Sequence, residues 1–406
     1  METENIGPVQ SEPIGRNFKL MSMQTALART GTSAFSISIV WIALTLTNST
    51  VAAGFADSIF SLPLFFSFAF GAYIDKMGSK RNLSVISSLA RTASILLLFI
   101  PIFYDSFLIR IIAIYSVSFA LGMTSDILNS IRSSWSKQFL SEAQYKKGTS
   151  LLETATSMAQ SAGYAISGVL LSFGLVTTIY TLIVIFLVST VPLVAIRDST
   201  QDKTADNGSL GRSMAEGIRY IRNSGALKAI ITITLFVNLA FGSVGIFFAY
   251  LVDFVFRLSA VFYGLMFLSL TIGLILGSAL GSAIRGKLGF YNTIFIFVIG
   301  IMMVSMGFAD IIYLDFFVVF IIGLLVGQVN VISQTGVLKI VSQDMIARVY
   351  GAFSTFALGI TFLSGGIGGI LIDLLTLRWS FVLIGGIISL VAVLSVVSRE
   401  YYNLSV

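Results

Sequence analysis

Residues 175–196 read LVTTIYTLIVIFLVSTVPLVAI, an apolar run without a single acidic or basic side chain that ends on Arg197. About 20 such residues, coiled as a helix, cross the roughly 30 Å hydrocarbon core of a bilayer. Working outward, the same kind of run recurs on both sides. Six spans precede a break: Leu20 to Leu46, Val51 to Ile74, Leu83 to Phe103, Phe107 to Ile131, Gly148 to Phe173 and Leu175 to Ile196. Six more follow it: Ala226 to Val252, Ala260 to Ile284, Phe290 to Ile312, Phe316 to Leu338, Val349 to Leu374 and Trp379 to Val397. The runs lack the alternation of barrel strands, so each must satisfy its own backbone as a helix. The expected fold class is an all-α membrane protein of twelve transmembrane helices in two pseudo-symmetric six-helix bundles.

Composition agrees: 56% of the 406 residues are hydrophobic and 11% charged, where a soluble domain carries about a quarter charged. Cysteine and histidine are absent, which excludes disulfides, thiol nucleophiles, histidine bases and the usual zinc sites. Any protonation chemistry falls to Asp or Glu, and neither a cofactor nor a metal is implied. The net charge of +6 comes from Lys and Arg scattered among loops, without the basic, aromatic-interleaved stripe of a nucleic-acid binder.

Those basic residues also set the orientation. Of 25 Lys and Arg, 20 fall at the end of the bundle that holds both termini, and the opposite loops hold only Arg110, Arg257 and Arg378. Basic loops are retained in the cytosol, so an integral protein of the plasma (cytoplasmic) membrane with both termini cytoplasmic is expected. The organisation that follows is a cytoplasmic tail 1–19, an N-terminal bundle 20–196, a cytoplasmic linker 197–225, a C-terminal bundle 226–398 and a cytoplasmic tail 399–406. In the linker, Leu210, Met214, Ile218 and Ile221 share one helical face, as in a helix lying on the membrane surface. An internal repeat supports two halves. The segment from Leu140 to Lys147, running on to Ser167-Gly168, recurs 201 residues later as Val341 to Arg348, running on to Gly368-Gly369.

Between spans 2 and 3 stands Gly71-Ala-Tyr-Ile-Asp75-Lys76-Met-Gly78-Ser-Lys80-Arg81. Gly71 allows a neighbouring helix close, Gly78 permits a positive φ, and Asp75 can accept from a helix N-terminus or pair with a cation. The stretch resembles the G-x-x-x-D-[RK]-x-G-x-[RK]-[RK] signature of the major facilitator superfamily, in the loop where that family carries it. The resemblance implies the major facilitator fold and a gating role for Gly71, Asp75, Lys76, Gly78, Lys80 and Arg81. Ser61-Leu-Pro63, Ser88-Leu-Ala-Arg91 and Met214 to Arg222 look like the drug and macrolide efflux branch. Departures stand beside these: Tyr164 follows Gly163 where antiporter-type exporters carry proline, Ser118 stands where an arginine often lies four residues before Gly122, and Ser79 replaces a frequent basic residue. The resemblance implies export of a small amphipathic or hydrophobic compound by alternating access. Uptake or facilitative transport of a metabolite, or a non-transporting sensor or assembly role, are the alternatives.

Ionisable residues inside spans are costly and therefore functional candidates. Arg29, Arg91, Asp126, Arg132 and Glu153 are expected to form a charge network in the N-terminal half. Asp57 stands apart from it, and is either a coupling residue that takes a proton or a cation, or a residue that faces outer water or pairs with Arg110. Gln160, Asn238, Gln328, Asn330 and Gln334 are candidate cavity-lining residues. The partners implied are a small-molecule substrate, membrane lipid, and protons or another coupling ion.

Overall fold

The computed structural model describes residues 14–75, 79–197, 210–308, 311–342, 359–396 and 398–402, with single residues between 345 and 353. Among these residues there is no strand. The first half contains α1 (Arg16–Thr47), α2 (Thr50–Asp75), α3 (Lys80–Ile95, continued by turns to Phe103), α4 (Phe107–Phe139), α5 (Glu142–Ser172) and α6 (Leu175–Ala195). A surface helix, α7 (Leu210–Asn223), follows the break. The second half contains α8 (Gly225–Gly242, continued to Val255), α9 (Ala260–Gly281), α10 (Leu288–Met306), α11 (Ile312–Ile340) and α12 (Ser364–Ser395), and ends in the short α13 (Arg399–Tyr402).

Among the described residues, nine helical stretches are long and apolar enough to cross a membrane. The last, Thr361–Ser395, has 35 residues, or about 50 Å at helical rise, too long for one crossing. It kinks at Thr376, where φ is 75° and ψ 159°, so it supplies two. With α2 and the more polar α5 the crossings come to the expected twelve. Helix ends are chemically marked. Ser79 caps α3 by accepting from the Asn82 N–H at 3.4 Å, which gives this departure from the family pattern a structural use. The Ser141 N–H donates to Gln144 Oε1 at 3.4 Å at the start of α5.

Packing between helices rests on glycine. On α9, Gly273 and Gly277 lie against the backbone of Phe320 and Leu324, and on α11, Gly323 and Gly327 lie against the backbone of Leu270 and Leu274. Two small-xxx-small stripes thus interdigitate, the arrangement that lets apolar helices gain contact area where burial from water cannot drive them together. Gly122 on α4 accommodates the backbone of Phe60 beside Pro63 of α2 in the same way.

Within the expected tail 399–406, Glu400 and Tyr401 pack against the second half. Tyr401 is 1% exposed, its hydroxyl accepts from Asn292 Nδ2 at 2.8 Å, and the same amide group donates to Ser333 Oγ at 3.2 Å. Burial pushes the Tyr401 hydroxyl above the usual tyrosine range. Glu400 Oε2 accepts from the Ala226 N–H at 3.2 Å, placing a carboxylate at the N-terminus of α8. Replacing Tyr401 by Ala is expected to cost about 3–5 kcal/mol, and by Phe about 1 kcal/mol. Thermal unfolding in detergent measures both, and equal midpoints for the two variants would contradict the account. The surface helix α7 is held by Tyr220, whose hydroxyl donates to the Ile340 carbonyl and accepts from the Ser342 N–H, each at 3.4 Å.

Candidate functional site

The two halves meet at the end opposite the termini. Thr50 Oγ1, at the start of α2, donates to the Gly369 carbonyl of α12 at 3.0 Å, and the Gly366 N–H donates to Ser58 Oγ at 2.8 Å. Between these bonds the Gly54 and Gly365 backbones touch. The second contact joins α5 to α9: a Cβ added to Gly168 would lie 2.9 Å from Gly264 Cα, and one added to Gly264 would lie 2.8 Å from Gly168 Cα. Gly168 and Gly369 are the residues that the internal repeat relates, so each half presents the same kind of glycine surface to the other. Phe65, deeper along α2, packs on Phe362 with ring centroids 5.7 Å apart. Among the described residues, no hydrogen bond or ring contact joins the halves nearer the termini than this one.

Just inside this closure lies Asp57, half-buried on α2, with its carboxylate beside Gly365. Arg110, the cation that could have paired with it, instead bonds Asp105 and donates to the Leu46 carbonyl at 2.8 Å. Among the described residues the Asp57 carboxylate has no hydrogen-bond or ion-pair partner. Tyr164 of α5 and Tyr263 of α9 lie within its electrostatic reach. Trp41 of α1 stacks on Tyr263 at 5.5 Å, and Phe267 packs against Tyr164 at 5.3 Å and Phe248 at 5.5 Å. An aromatic cluster drawn from both halves thus includes two tyrosines within electrostatic reach of an unpaired carboxylate, a setting for an apolar or π-faced ligand carrying a polar handle.

A polar chain leads from this ring toward the termini. Gln160 Nε2 donates to the Tyr164 hydroxyl at 2.6 Å, and Gln160 Oε1 accepts from Arg29 Nη2 at 2.8 Å. Arg132 of α4 senses the charges of Glu153 on α5 and of Arg29. Among the described residues, none of Arg29, Arg132 and Glu153 forms an ion pair within 4.0 Å.

The expected charge network divides here. Arg91 is 1% exposed in the interior of the N-terminal half, 4.4 Å from the Phe186 ring, with Nη1 donating to Thr32 Oγ1 at 3.5 Å. Asp126 is 4% exposed and leaves Oδ2 unpartnered. No ion pair joins them. The buried face of α3 is otherwise Ser84, Ser87, Ser88, Thr92 and Ile95, with Ser88 and Thr190 sharing a 2.6 Å hydrogen bond. The Thr32 hydroxyl and the Phe186 face, rather than a carboxylate, are therefore the contacts of the Arg91 guanidinium, whose Nε and Nη2 have no hydrogen bond among the described residues.

The cavity-lining candidates also divide. Gln160 lies on the polar chain and Asn238 is half-buried on α8, but Gln328 is 7% exposed and packs its Cα against Gly281, between α9 and α11. Asn330 and Gln334 sit exposed, one turn apart, on α11. Of the loop signature, Gly71 and Asp75 end α2 without described side-chain surroundings, and Lys76 and Gly78 lie outside the described residues. Lys80 Nζ bonds Ser134 Oγ of α4, and Arg81 Nη2 donates to the Val194 carbonyl of α6 at 2.6 Å. Both basic residues thus tie α3 into its own half. Tyr164, Tyr263 and Trp41 were not singled out by the sequence; the only signal was the tyrosine at the position where exporters of the antiporter type carry proline.

The family model described as Major Facilitator Superfamily matches residues 21–365. The chain belongs to the major facilitator superfamily. Membership makes it a transporter rather than an enzyme, an integral membrane protein that moves small molecules. No curated protein matches its sequence. Among solved structures, that of the nucleoside transporter NupG aligns with a TM-score of 0.76 at 14% identity, over 95% of this chain and 99% of that one. A D-xylose-proton symporter aligns at 0.70 and 12%, over 96% and 99%. A POT family transporter in complex with 5-aminolevulinic acid aligns at 0.68 and 12%, over 96% of each. At these identities the likeness shows the fold: two six-helix bundles of the major facilitator type.

Proposed function

We propose that this superfamily member moves a small amphipathic compound by alternating access, and that Asp57 couples the movement to protons. The observation that carries the reading is the Asp57 carboxylate, set without a counter-charge at the contact between the halves and beside tyrosines of both. A charge in such a place is costly unless a proton or a cationic group neutralises it. Neutralisation lets the glycine surfaces around it close or part. Reconstituted protein on a solid-supported membrane is expected to give a transient proton-binding current on a pH jump, and Asp57→Asn is expected to abolish it. A current of wild-type size in the variant refutes the coupling role.

Export is the first reading of direction, supported by the resemblance of the Ser61–Pro63, Ser88–Arg91 and Met214–Arg222 stretches to the efflux branch and by the aromatic lining. Uptake is the second, favoured by the printed names of similar folds, which include a nucleoside transporter and a sugar-proton symporter. Deleting the gene raises cellular accumulation of the compound under the first reading and lowers it under the second. The cytoplasmic placement of both termini belongs to the same proposal, supported by the 20 of 25 basic residues at that end. So does the division into bundles 20–196 and 226–398 around the linker 197–225.

A further inference from the structure

The end of α6 is tied to the start of α1. The Arg197 N–H donates to Asn17 Oδ1 at 3.3 Å, and Asn17 Nδ2 donates to the Arg197 carbonyl at 2.8 Å. One amide side chain thus satisfies both backbone groups of the residue that follows the span. Beside this pair lies a cavity of about 390 Å³, within the roughly 300–1,000 Å³ of ligand pockets. Arg16, Asn17 and Arg197 line it on the polar side, and Phe18, Phe139 and Ala195 supply its apolar part. All belong to the first half, at the end opposite Asp57, so the site is independent of what is transported.

Every charge on the lining is positive, and no carboxylate lines it. The carbonyls that end a helix would repel an anion, but here they are engaged. The Val194 carbonyl accepts from Arg81 Nη2 at 2.6 Å, and the Leu193 carbonyl accepts from the Ile196 N–H at 3.3 Å. The first of these bonds also brings a third guanidinium next to Ala195. No side-chain cap closes the N-terminus of α1, whose first residues line the same cavity. A phosphate group suits such a place, since arginine offers it two parallel N–H bonds.

The outer face of α6 says where that phosphate comes from. Val184, Leu187, Val188, Val191 and Val194 are exposed and spaced by three and four residues, so they form one apolar stripe that leads to Ala195. From Val184 to Ala195 the stripe runs about 16 Å at helical rise, which matches one leaflet of a hydrocarbon core roughly 30 Å thick. We infer that the cavity holds the headgroup of an anionic phospholipid, its phosphate taken by Arg16 and Arg197 and an acyl chain laid along the α6 stripe. A zwitterionic headgroup finds no carboxylate there for its ammonium, and a soluble phosphate leaves the stripe unused. The bound lipid joins the first turn of α1 to the last of α6 and so stabilises the first half.

The test uses the purified full-length protein in a neutral detergent. Its melting temperature is followed against dioleoylphosphatidylglycerol, dioleoylphosphatidylcholine and the chain-free headgroup glycerophosphoglycerol, for wild type, Arg16→Gln, Arg197→Gln, the double variant and Lys287→Gln. Lys287 is an exposed cation next to the C-terminal contact of the second half, and it controls for general charge attraction. Phosphatidylglycerol is expected to raise the melting temperature, and phosphatidylcholine is not. The apparent Kd for phosphatidylglycerol is expected to weaken about fivefold or more in each single arginine variant and about 25-fold or more in the double variant, and to hold in Lys287→Gln. Both arginines are exposed, so their loss leaves the fold intact, and either single variant suffices. Equal stabilisation by phosphatidylcholine, none by phosphatidylglycerol, or a Kd unchanged in the arginine variants overturns the inference. Glycerophosphoglycerol binding as tightly as the whole lipid overturns it too, by making the cavity a soluble-phosphate site.

Discussion

Gly54→Leu is expected to force apart the end of the molecule that is closed here. A Cβ at residue 54 would run into the Gly365 carbonyl and come within 3.2 Å of the Gly369 N–H, and backbone cannot swing aside as a side-chain tip does. Overpacking of this kind costs about 1–3 kcal/mol or more, and the cost falls on one conformation only. The alternative state, in which α2 and α12 separate at this end, does not bear it, so the equilibrium shifts roughly 5- to 150-fold. Ser58 reports the shift, because its hydroxyl is buried under the Gly366 N–H in the closed state. The chain contains no cysteine, so Ser58→Cys provides a single labelling site. Maleimide modification is expected to be about tenfold faster or more in the Gly54→Leu background. Unchanged labelling would show that the glycine contact does not hold the gate.

A larger effect on folding itself is expected at Gly277. There the neighbours of an added Cβ are the carbonyl carbon and Cα of Leu324, at 2.6 and 2.8 Å. With Gly273, Gly323 and Gly327 interleaved on either side, α9 and α11 cannot shift apart locally without losing the whole stripe. Gly277→Leu is expected to cost about 4 kcal/mol or more and to leave little monodisperse protein on size exclusion in detergent. Gly386 provides the control, since nothing lies within 4 Å of the position its Cβ would take. Gly386→Leu is expected to migrate and melt like wild type. A folded, wild-type-like Gly277→Leu would contradict the packing described.

The contrast between these glycines shows how much was legible beforehand. Apolar runs and the distribution of Lys and Arg define the spans and the linker, because lipid imposes the same requirement on every residue of a span. The stripes Gly273-xxx-Gly277 and Gly323-xxx-Gly327 were visible as spacing, yet spacing does not say which helix is the partner, and the α9–α11 pairing came only with the structure. The repeat did mark Gly168 and Gly369, and both proved to be contact points between the halves. Charges were harder to place. Arg91 and Asp126 lie at similar depth by residue count, but the direction of each side chain around its helix decided that the Thr32 hydroxyl and Phe186 are the contacts of Arg91. Asp57 was singled out by depth alone; the tyrosines beside it come from helices distant in sequence, which periodicity within one helix cannot bring together. Tyr401 was hidden for a similar reason, since a polar tail of a few residues carries no pattern that announces burial.

The account stands on the closure of one end of the molecule by α2 against α12. Ser58 and Gly366 are joined there by a 2.8 Å hydrogen bond, and the nearest neighbours of a Cβ on Gly366 are atoms of the Phe55 ring, which can turn, rather than backbone. In the double variant Ser58→Cys, Gly366→Cys, mild oxidation is expected to form a disulfide cross-link. The proton current evoked by a pH jump on that side should then disappear and return on reduction, while the current from the terminal side should remain throughout. Cysteines that fail to cross-link, or a cross-linked protein that still admits protons to Asp57 from the sealed side, would contradict it.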